Sequence, residues 1–323
     1  MKELEEAIFH LRDQADFEQL ALRIFEFQSQ KVDVYRNYLN YLGKGMPKSV
    51  AEIPFLPIEF FKSEVVLAQD LQSELLFKSS GTTGQQRSIH YVAKARIYEE
   101  SFSRAYRQLI GNPEEQVILA LLPNYLEQGE SSLVYMIQKL IEQSRHPLSS
   151  FYKDEHQELI RAYQQVISEG KQAVVFGVSY ALLDLCDSGT DLSQAIVVET
   201  GGMKGRRKEL TKEELHRTLC QAFATDTIYS EYGMTELLSQ GYSQKNGLFQ
   251  FPNWMQIKLR DVNDPFDYVE NGKTGGINVI DLANLYSCSF IATQDLGKWT
   301  PDGLKLMGRF DHSDIRGCNL LVD

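Results

Sequence analysis

Three short aliphatic runs limit the fold more than any other feature: Val117–Leu122 (VILALL), Ala173–Val178 (AVVFGV) and Ala195–Glu199 (AIVVE). Each is bounded by polar residues, glycine or proline, and each reads as a strand covered on both faces. Helical periodicity occupies the stretches near residues 94–110, 131–144, 155–168 and 211–223. Strands that alternate with helices need crossover connections, so the expected class is α/β with mostly parallel pairing.

The flanks differ from this middle. Over residues 2–43 the apolar positions Leu4, Ile8 and Leu11, then Phe17, Leu20, Leu22, Ile24 and Phe25, favour one helical face. Ala51–Pro57 (AEIPFLP) breaks that pattern. Two prolines among large apolar residues predict an extended, buried crossing into the main domain. After about residue 246, short strand candidates follow at Met255–Val262, Ile277–Asp281, Ser287–Thr293 and Lys305–Phe310. The turn signals between them, Asn271-Gly272, Gly275-Gly276 and Pro301-Asp302-Gly303, predict a mostly antiparallel second part. Three consecutive parts result: a helical segment 1–50, an α/β core 51–245 and an antiparallel β-rich part 246–323.

Charge narrows the partners. Lys and Arg number 33 against 44 Asp and Glu, a formal charge of −11, so the basic footprint of a general nucleic-acid binder is missing. An anionic ligand would need a local nest of backbone N–H groups and a few placed cations. The start, Met1–Glu6, is charged and lacks a signal-peptide core. No apolar run reaches about 18 residues, so no membrane span is expected and the cytoplasm is the expected compartment. The cysteines (Cys186, Cys220, Cys288, Cys318) and histidines (His10, His90, His146, His156, His216, His312) are scattered without zinc-ligand spacing. No structural disulfide is expected, and the cysteines other than Cys318 read mostly as small buried hydrophobes. The one dense charge run, Lys204–Glu209, leads into Thr211 and Glu214, a capping box at a solvated helix start.

Three segments carry candidate chemistry. The first is Lys78-Ser79-Ser80-Gly81-Thr82-Thr83-Gly84-Gln85-Gln86-Arg87, between strand candidates Leu75–Phe77 and Ile89–Val92. Its glycines let the backbone curl, and four hydroxyls with several N–H groups then face one volume, which suits phosphate oxygens. The Gly-Lys-Ser/Thr ending of a Walker loop is absent, and alone the segment reads equally as an ordinary turn. The second is Tyr229–Glu236 (YSEYGMTE), where Tyr232 beside Gly233 can face a flat base and Thr235 and Glu236 offer hard oxygens to Mg²⁺. Alone it reads as a helix start. In the third, Thr293–Gly297 (TQDLG) is followed by Gly308-Arg309-Phe310-Asp311. Asp295, next to a tight turn, can bind vicinal ribose hydroxyls, and Arg309 can return across a hairpin to the same sugar or phosphate. Alone it reads as a surface hairpin with a charge pair.

In order and character the three segments resemble the adenylate-forming superfamily of acyl-CoA synthetases, phenylacetate-CoA ligases and luciferases. That family's loop reads Ser/Thr-Ser/Thr-Gly-Ser/Thr-Thr-Gly-x-Pro-Lys, followed by Tyr-Gly-x-Thr-Glu, Thr-Gly-Asp and a Gly-Arg-x-Asp-Asp hinge. Glu199-Thr200-Gly201-Gly202 and Gly272–Ile277 (GKTGGI), with a strand ending at Asp281-Leu282, fit the same order from about Ile53 to the C-terminus. Ile53–Pro57, Phe60-Phe61-Lys62, the FKSSGTTG run and the ending Asp314–Leu320 are most similar to the acyl-protein synthetases of bacterial luminescence (LuxE-type). Departures are Gln86-Arg87 for Pro-Lys, Thr293-Gln294-Asp295 for Thr-Gly-Asp, and an end just past the hinge motif, which implies that the C-terminal lid domain is absent.

The resemblance implies an adenylate-forming N-terminal-domain architecture, with α/β/α layers, mostly parallel sheets and a smaller antiparallel β part. It implies ATP and Mg²⁺, and a fatty or similar carboxylic acid activated as its acyl-adenylate. By the same likeness Ser79, Ser80, Gly81, Thr82, Thr83 and Gly84 hold the phosphates, with Thr82 and Thr83 donating hydroxyls and Arg87 keeping a cation. Glu236 with Thr235 positions Mg²⁺, Asp295 and Arg309 grip the ribose, and Tyr232-Gly233 with Gly201 and Gly202 frames adenine. Cys318, five positions before the last residue, takes the acyl group as a thioester for an acyl-accepting partner protein. Arg316 and His312 nearby can favour its thiolate. Without the resemblance it reads equally as a buried cysteine ahead of Leu320–Val322. His90 and His156 are expected to be structural or surface residues, because adenylation by a carboxylate needs no base. Two other readings stay open: transfer to CoA or a carrier-protein thiol, and a non-catalytic nucleotide-binding subunit of an acyl-reductase complex. Homo-oligomer formation is also open.

Overall fold

The computed structural model describes residues 1–80, 86–122, 130–153, 155–201, 210–244 and 247–310. The chain divides into two compact units: Met1–Leu71 joined by the segment from Asn253 onward, and Gln72–Pro252. The helical start and the β-rich end therefore share one unit, where the sequence pattern predicts three consecutive parts.

The first unit opens with α1 (Lys2–Ile8), α2 (Gln14–Lys31) and α3 (Asp33–Leu42). Asp13 starts α2 by accepting from the Asp16 N–H, and Gly43, at φ 61°, ends α3. Helix α2 buries Phe17, Leu20, Ala21, Ile24 and Phe25. Its fully buried Gln28 donates to the carbonyls of Asn284 and Leu285 and accepts from the Ser289 N–H, so a polar side chain is tolerated there. The proline-rich segment is buried and extended as expected, with β1 (Leu56–Pro57) lying parallel to residues 291–292. It stays within the first unit, however, and is followed by the single turn α4 (Phe60–Ser63).

The second unit contains a hairpin of β2 (Leu75–Lys78) and β3 (Ile89–Val92), then α5 (Ala95–Leu109), β4 (Gln116–Leu121) and α6 (Ser132–Ser144). It continues through β5 (Ser150–Phe151), α7 (His156–Ser168), β6 (Gln172–Val178), α8 (Ser179–Cys186), β7 (Ala195–Thr200) and α9 (Lys212–Phe223). Strands β8 (Tyr229–Tyr232), β9 (Gly241–Ser243) and β10 (Leu248–Gln250) complete it. The order is β5-β4-β6-β7-β8-β9-β10, parallel from β5 to β8 and antiparallel beyond. The three aliphatic runs lie side by side in register, Val117 opposite Ala173 and Ala173 opposite Ala195. All of β4 is buried, which is what an apolar run without alternation requires.

The chain then returns to the first unit as an antiparallel meander of β11 (Met255–Arg260), β12 (Thr274–Asp281), β13 (Phe290–Thr300) and β14 (Gly303–Arg309). Gly275-Gly276, expected to be a turn, lies inside β12. A Cβ on Gly275 would come within 2.6 Å of the Arg260 carbonyl, and one on Gly276 within 2.7 Å of the Arg260 guanidinium carbon. Close approach, not a turn, is what these glycines serve. The fold class is thus α/β, with parallel strands in one unit and an antiparallel meander in the other. No helix among the described residues is long and apolar enough to cross a membrane.

Candidate functional site

In the second unit, the two described ends of the hydroxyl-rich segment adjoin the β2–β3 hairpin, paired from Leu75 with Val92 to Lys78 with Ile89. Gly81, Thr82, Thr83, Gly84 and Gln85 lie outside the described residues. Its base is zipped twice: the Ser79 N–H donates to the Ser88 carbonyl at 3.0 Å, and the Ser88 N–H donates to Ser79 Oγ at 2.9 Å. Ser80 and Arg87 are exposed. On the β2 side, Phe77 packs edge-on against Tyr98 and Tyr135.

The Tyr229–Glu236 segment is a strand running into a tight turn, not a helix start, and the Leu237 N–H closes that turn on the Met234 carbonyl. A Cβ on Gly233 would fall 2.3 Å from Glu231 Oε1, so a larger residue there would have to displace that carboxylate. The Tyr232 ring is buried edge-on to Phe249 and Phe251. Glu236 is buried and Thr235 half-buried. One carboxylate with a hydroxyl is a donor set that fits Mg²⁺, which draws its remaining ligands from water and phosphate oxygens. Among the described residues no group of three or more His, Cys, Asp or Glu side chains could hold a metal by itself.

His90 joins these two elements. It is fully buried on β3, and its Nδ1 lies 2.8 Å from the Thr235 carbonyl oxygen. A carbonyl only accepts, so Nδ1 carries the proton. Burial holds the ring's pKa down at about 4, against the smaller opposing effect of that bond, and the imidazole is neutral. His90 is therefore a structural residue, as expected, and not a surface one.

Beside this turn lies a polar cluster that sequence reasoning missed. Glu199, at the end of β7 and fully buried, accepts from Ser230 Oγ at 2.7 Å, Ser179 Oγ at 3.1 Å and Lys212 Nζ, with His216 Nε2 at 3.4 Å. Burial opposes its charge, but the Lys212 ammonium and the bonds from His216, Lys212 and Ser230 prevail and hold it at about 2. Nε2 of His216 also lies 3.0 Å from Ser230 Oγ. A nucleophile relay needs acid and hydroxyl on opposite ring nitrogens, and here one nitrogen faces both, so the cluster is a lock rather than a catalytic triad. Glu231, one residue on, accepts from Thr200 Oγ1, yet burial pushes its carboxyl up to about 7 with the Glu199 charge adding to the rise. A glutamate ending a buried aliphatic run is the signal that could have exposed this cluster, since a buried charge demands partners.

In the first unit, Asp295 and Arg309 face each other across the β13–β14 ladder, with Arg309 Nε donating to Asp295 Oδ1 at 3.0 Å. The Asp295 N–H donates to Thr293 Oγ1, whose hydroxyl donates to the Ile277 carbonyl. Strand β13 extends well past Thr293, so Asp295 sits within a strand and not beside a tight turn. The turn comes at residues 301–302. The expected return of an arginine across a hairpin is observed. Gly201 adopts φ 69°, whereas Gly202 and Cys318 lie outside the described residues.

No protein-family profile matches the chain, and no curated protein is significantly similar to it. Solved structures do match. An open form of 2-hydroxyisobutyryl-CoA ligase, in complex with 2-HIB-AMP and CoA, is 14% identical over 92% of this chain and 71% of its own, with a TM-score of 0.68. The ATP-bound RpMatB-BxBclM chimera B3 is 16% identical over 72% of this chain and 47% of its own, TM-score 0.57. Apo MatB from Rhodopseudomonas palustris is 16% identical over the same shares, TM-score 0.54. The chain thus spans about half the length of the MatB structures. At these identities the likeness establishes the fold alone, one shared with 2-hydroxyisobutyryl-CoA ligase and MatB.

Proposed function

We propose that this chain uses ATP to activate a carboxylic acid as its acyl-adenylate. A carboxylate oxygen attacks the α-phosphorus in line, an acyl C–O–P link forms, and the bond to the bridging oxygen breaks as pyrophosphate leaves. The observation that carries this reading is the bond between His90 and Thr235, which ties the hairpin bearing the hydroxyl segment to the turn bearing Glu236. A transfer of this kind depends on positioning and on neutralising charge in the transition state.

In this proposal Ser79 to Gly84 hold the β- and γ-phosphates, Thr82 and Thr83 donate hydroxyls, and Arg87 adds a cation. Glu236 and Thr235 would hold Mg²⁺, which when bound screens the phosphate charge. Tyr232 and Gly233, with Gly201 and Gly202, frame adenine, and Asp295 with Arg309 takes the ribose. Cys318 then receives the acyl group: its thiolate attacks the carbonyl carbon of the mixed anhydride, AMP leaves, and a thioester remains for delivery to a partner protein. A long-chain fatty acid and a LuxE-type, cytoplasmic role are the finer form of this proposal, on the likeness of the motifs alone.

A second reading passes the acyl group to CoA, favoured by the fold shared with a ligase solved with 2-HIB-AMP and CoA. Exchange of pyrophosphate into ATP across a panel of acids tests activation. Acid-dependent exchange is expected, and its absence with every acid overturns the proposal. With the preferred acid, mass spectrometry separates the two fates: a hydroxylamine-labile acyl group lost in Cys318→Ser supports the first, and free acyl-CoA supports the second.

A further inference from the structure

We propose that His90 is a positioning residue that sets the Thr235–Glu236 turn against the β2–β3 hairpin, an inference that rests on the reading of this turn and hairpin as the Mg²⁺ and phosphate elements. Adenylation needs no base, so the reaction itself gives no reason for a histidine here. Burial gives none either, since a leucine or phenylalanine fills such a space without desolvating two ring nitrogens. A hydrogen bond from the imidazole to a main-chain oxygen 145 residues further along the chain is what ties it to the turn.

The geometry around that bond is directional. Strand β3 alternates, with His90 and Val92 inward and Ile89 and Tyr91 less buried, so the pleat itself aims the ring. Two residues before His90, Ser88 is locked to Ser79 by a pair of bonds. On β2, Phe77 fixes the other strand against Tyr98 and Tyr135. Both strands of the hairpin are thus held by contacts of their own, and the Nδ1–H bond ties them to the residue next to Glu236. A shift of about 1 Å between groups that jointly hold a reacting phosphate costs on the order of 100-fold in rate.

Two amide variants test this without emptying the site. The amide nitrogen of asparagine falls near Nδ1, and that of glutamine near Nε2. His90→Asn is expected to keep kcat for pyrophosphate exchange within about threefold of the parent. His90→Gln and His90→Leu should lose about tenfold or more, with KM for the acid unchanged. Equal kcat in the Asn and Gln variants, or full kcat in a folded Leu variant, overturns the proposal. Binding supplies an arm independent of acid activation: the gain in ATP affinity on adding Mg²⁺ should shrink in the Gln variant and persist in the Asn variant. If no acid supports exchange but this binding pattern holds, acid activation fails and His90 keeps its role. If the binding pattern is equal in both variants, the role of His90 fails whatever the exchange assay shows.

Discussion

Glu199 and Asp295 are both strand-borne carboxylates, and the molecule treats them in opposite ways. Glu199 is fully buried, and Ser179, Ser230, Lys212 and His216 surround it from α8, β8 and α9. Asp295 is met across the ladder by Arg309, whose side chain is 77% exposed. An exposed guanidinium that spends its Nε on a carboxylate keeps its terminal N–H groups for another acceptor. A closed cluster of charges builds the fold, whereas an open pair leaves donors over, which is what the proposed ribose role of Asp295 and Arg309 requires. The difference lies in who satisfies the hydrogen bonds, not in how many charges are present.

The most direct way to break this contrast is Glu199→Ala. It removes the acceptor shared by a lysine, a histidine and two serines, and should destabilise the protein by about 3–5 kcal/mol. The urea midpoint would report it with an unchanged slope, and a loss under about 1 kcal/mol would show the cluster to be incidental. The sign with pH follows from a carboxyl held at about 2, below its ordinary value of 4.5. Its contribution is complete above pH 4.5 and is lost as the pH falls towards 2. Asp295→Asn should behave in reverse. Asp295 itself is buried, but its partner Arg309 is exposed and an asparagine keeps an oxygen for the Arg309 Nε, so the stability loss should be well below that of Glu199→Ala. Pyrophosphate exchange falls by about 100-fold through a raised KM for ATP, if the pair holds the ribose. A stability loss as large as that of Glu199→Ala would erase the distinction.

The same contrast explains what the sequence discloses. Strands β4, β6 and β7 are legible because parallel central strands are apolar on both faces and need no alternation. The helix Ser179–Cys186 was missed because it is apolar nearly all round, and periodicity reports only helices with a polar face. Gly275 and Gly276 mislead for a related reason, since a glycine that makes room for a neighbour is spelled like one that turns the chain. Asp295 and Arg309 are legible because a hairpin converts their spacing into register. The bonds of Glu199 and His90 are not, because their partners come from other elements and no local pattern encodes them.

Glu231 sharpens the comparison at a smaller scale. It is next to a closed cluster but outside it, so burial pushes its carboxyl up to about 7 from 4.5. A raised carboxyl favours the folded state most below pH 4.5, and that contribution is lost as the pH rises through 7. Glu231→Gln cannot ionise. It should therefore be about 1–2 kcal/mol more stable than the parent at pH 8 and equal to it near pH 4.5. Denaturant midpoints at the two pH values decide this, and a parallel pair of curves would place the charge of Glu231 in water.

The smallest expected effect concerns how the closed cluster is mounted. Lys212 and His216 reach Glu199 from the first turns of α9, and that start is fixed by a capping box between Thr211 and Glu214. Thr211→Ala removes the hydroxyl that accepts the Glu214 N–H and should cost about 1 kcal/mol. If the cap serves only the helix, its loss adds to that of Glu199→Ala in the double variant. If it also aims Lys212 at the buried carboxylate, the double variant loses less than the sum, because the second change finds the lysine already misplaced. The aimed-lysine outcome is expected, since Lys212 immediately follows the cap and has the least freedom to recover its position. An additive pair within about 0.3 kcal/mol would instead make the cap and the cluster separate features of one helix.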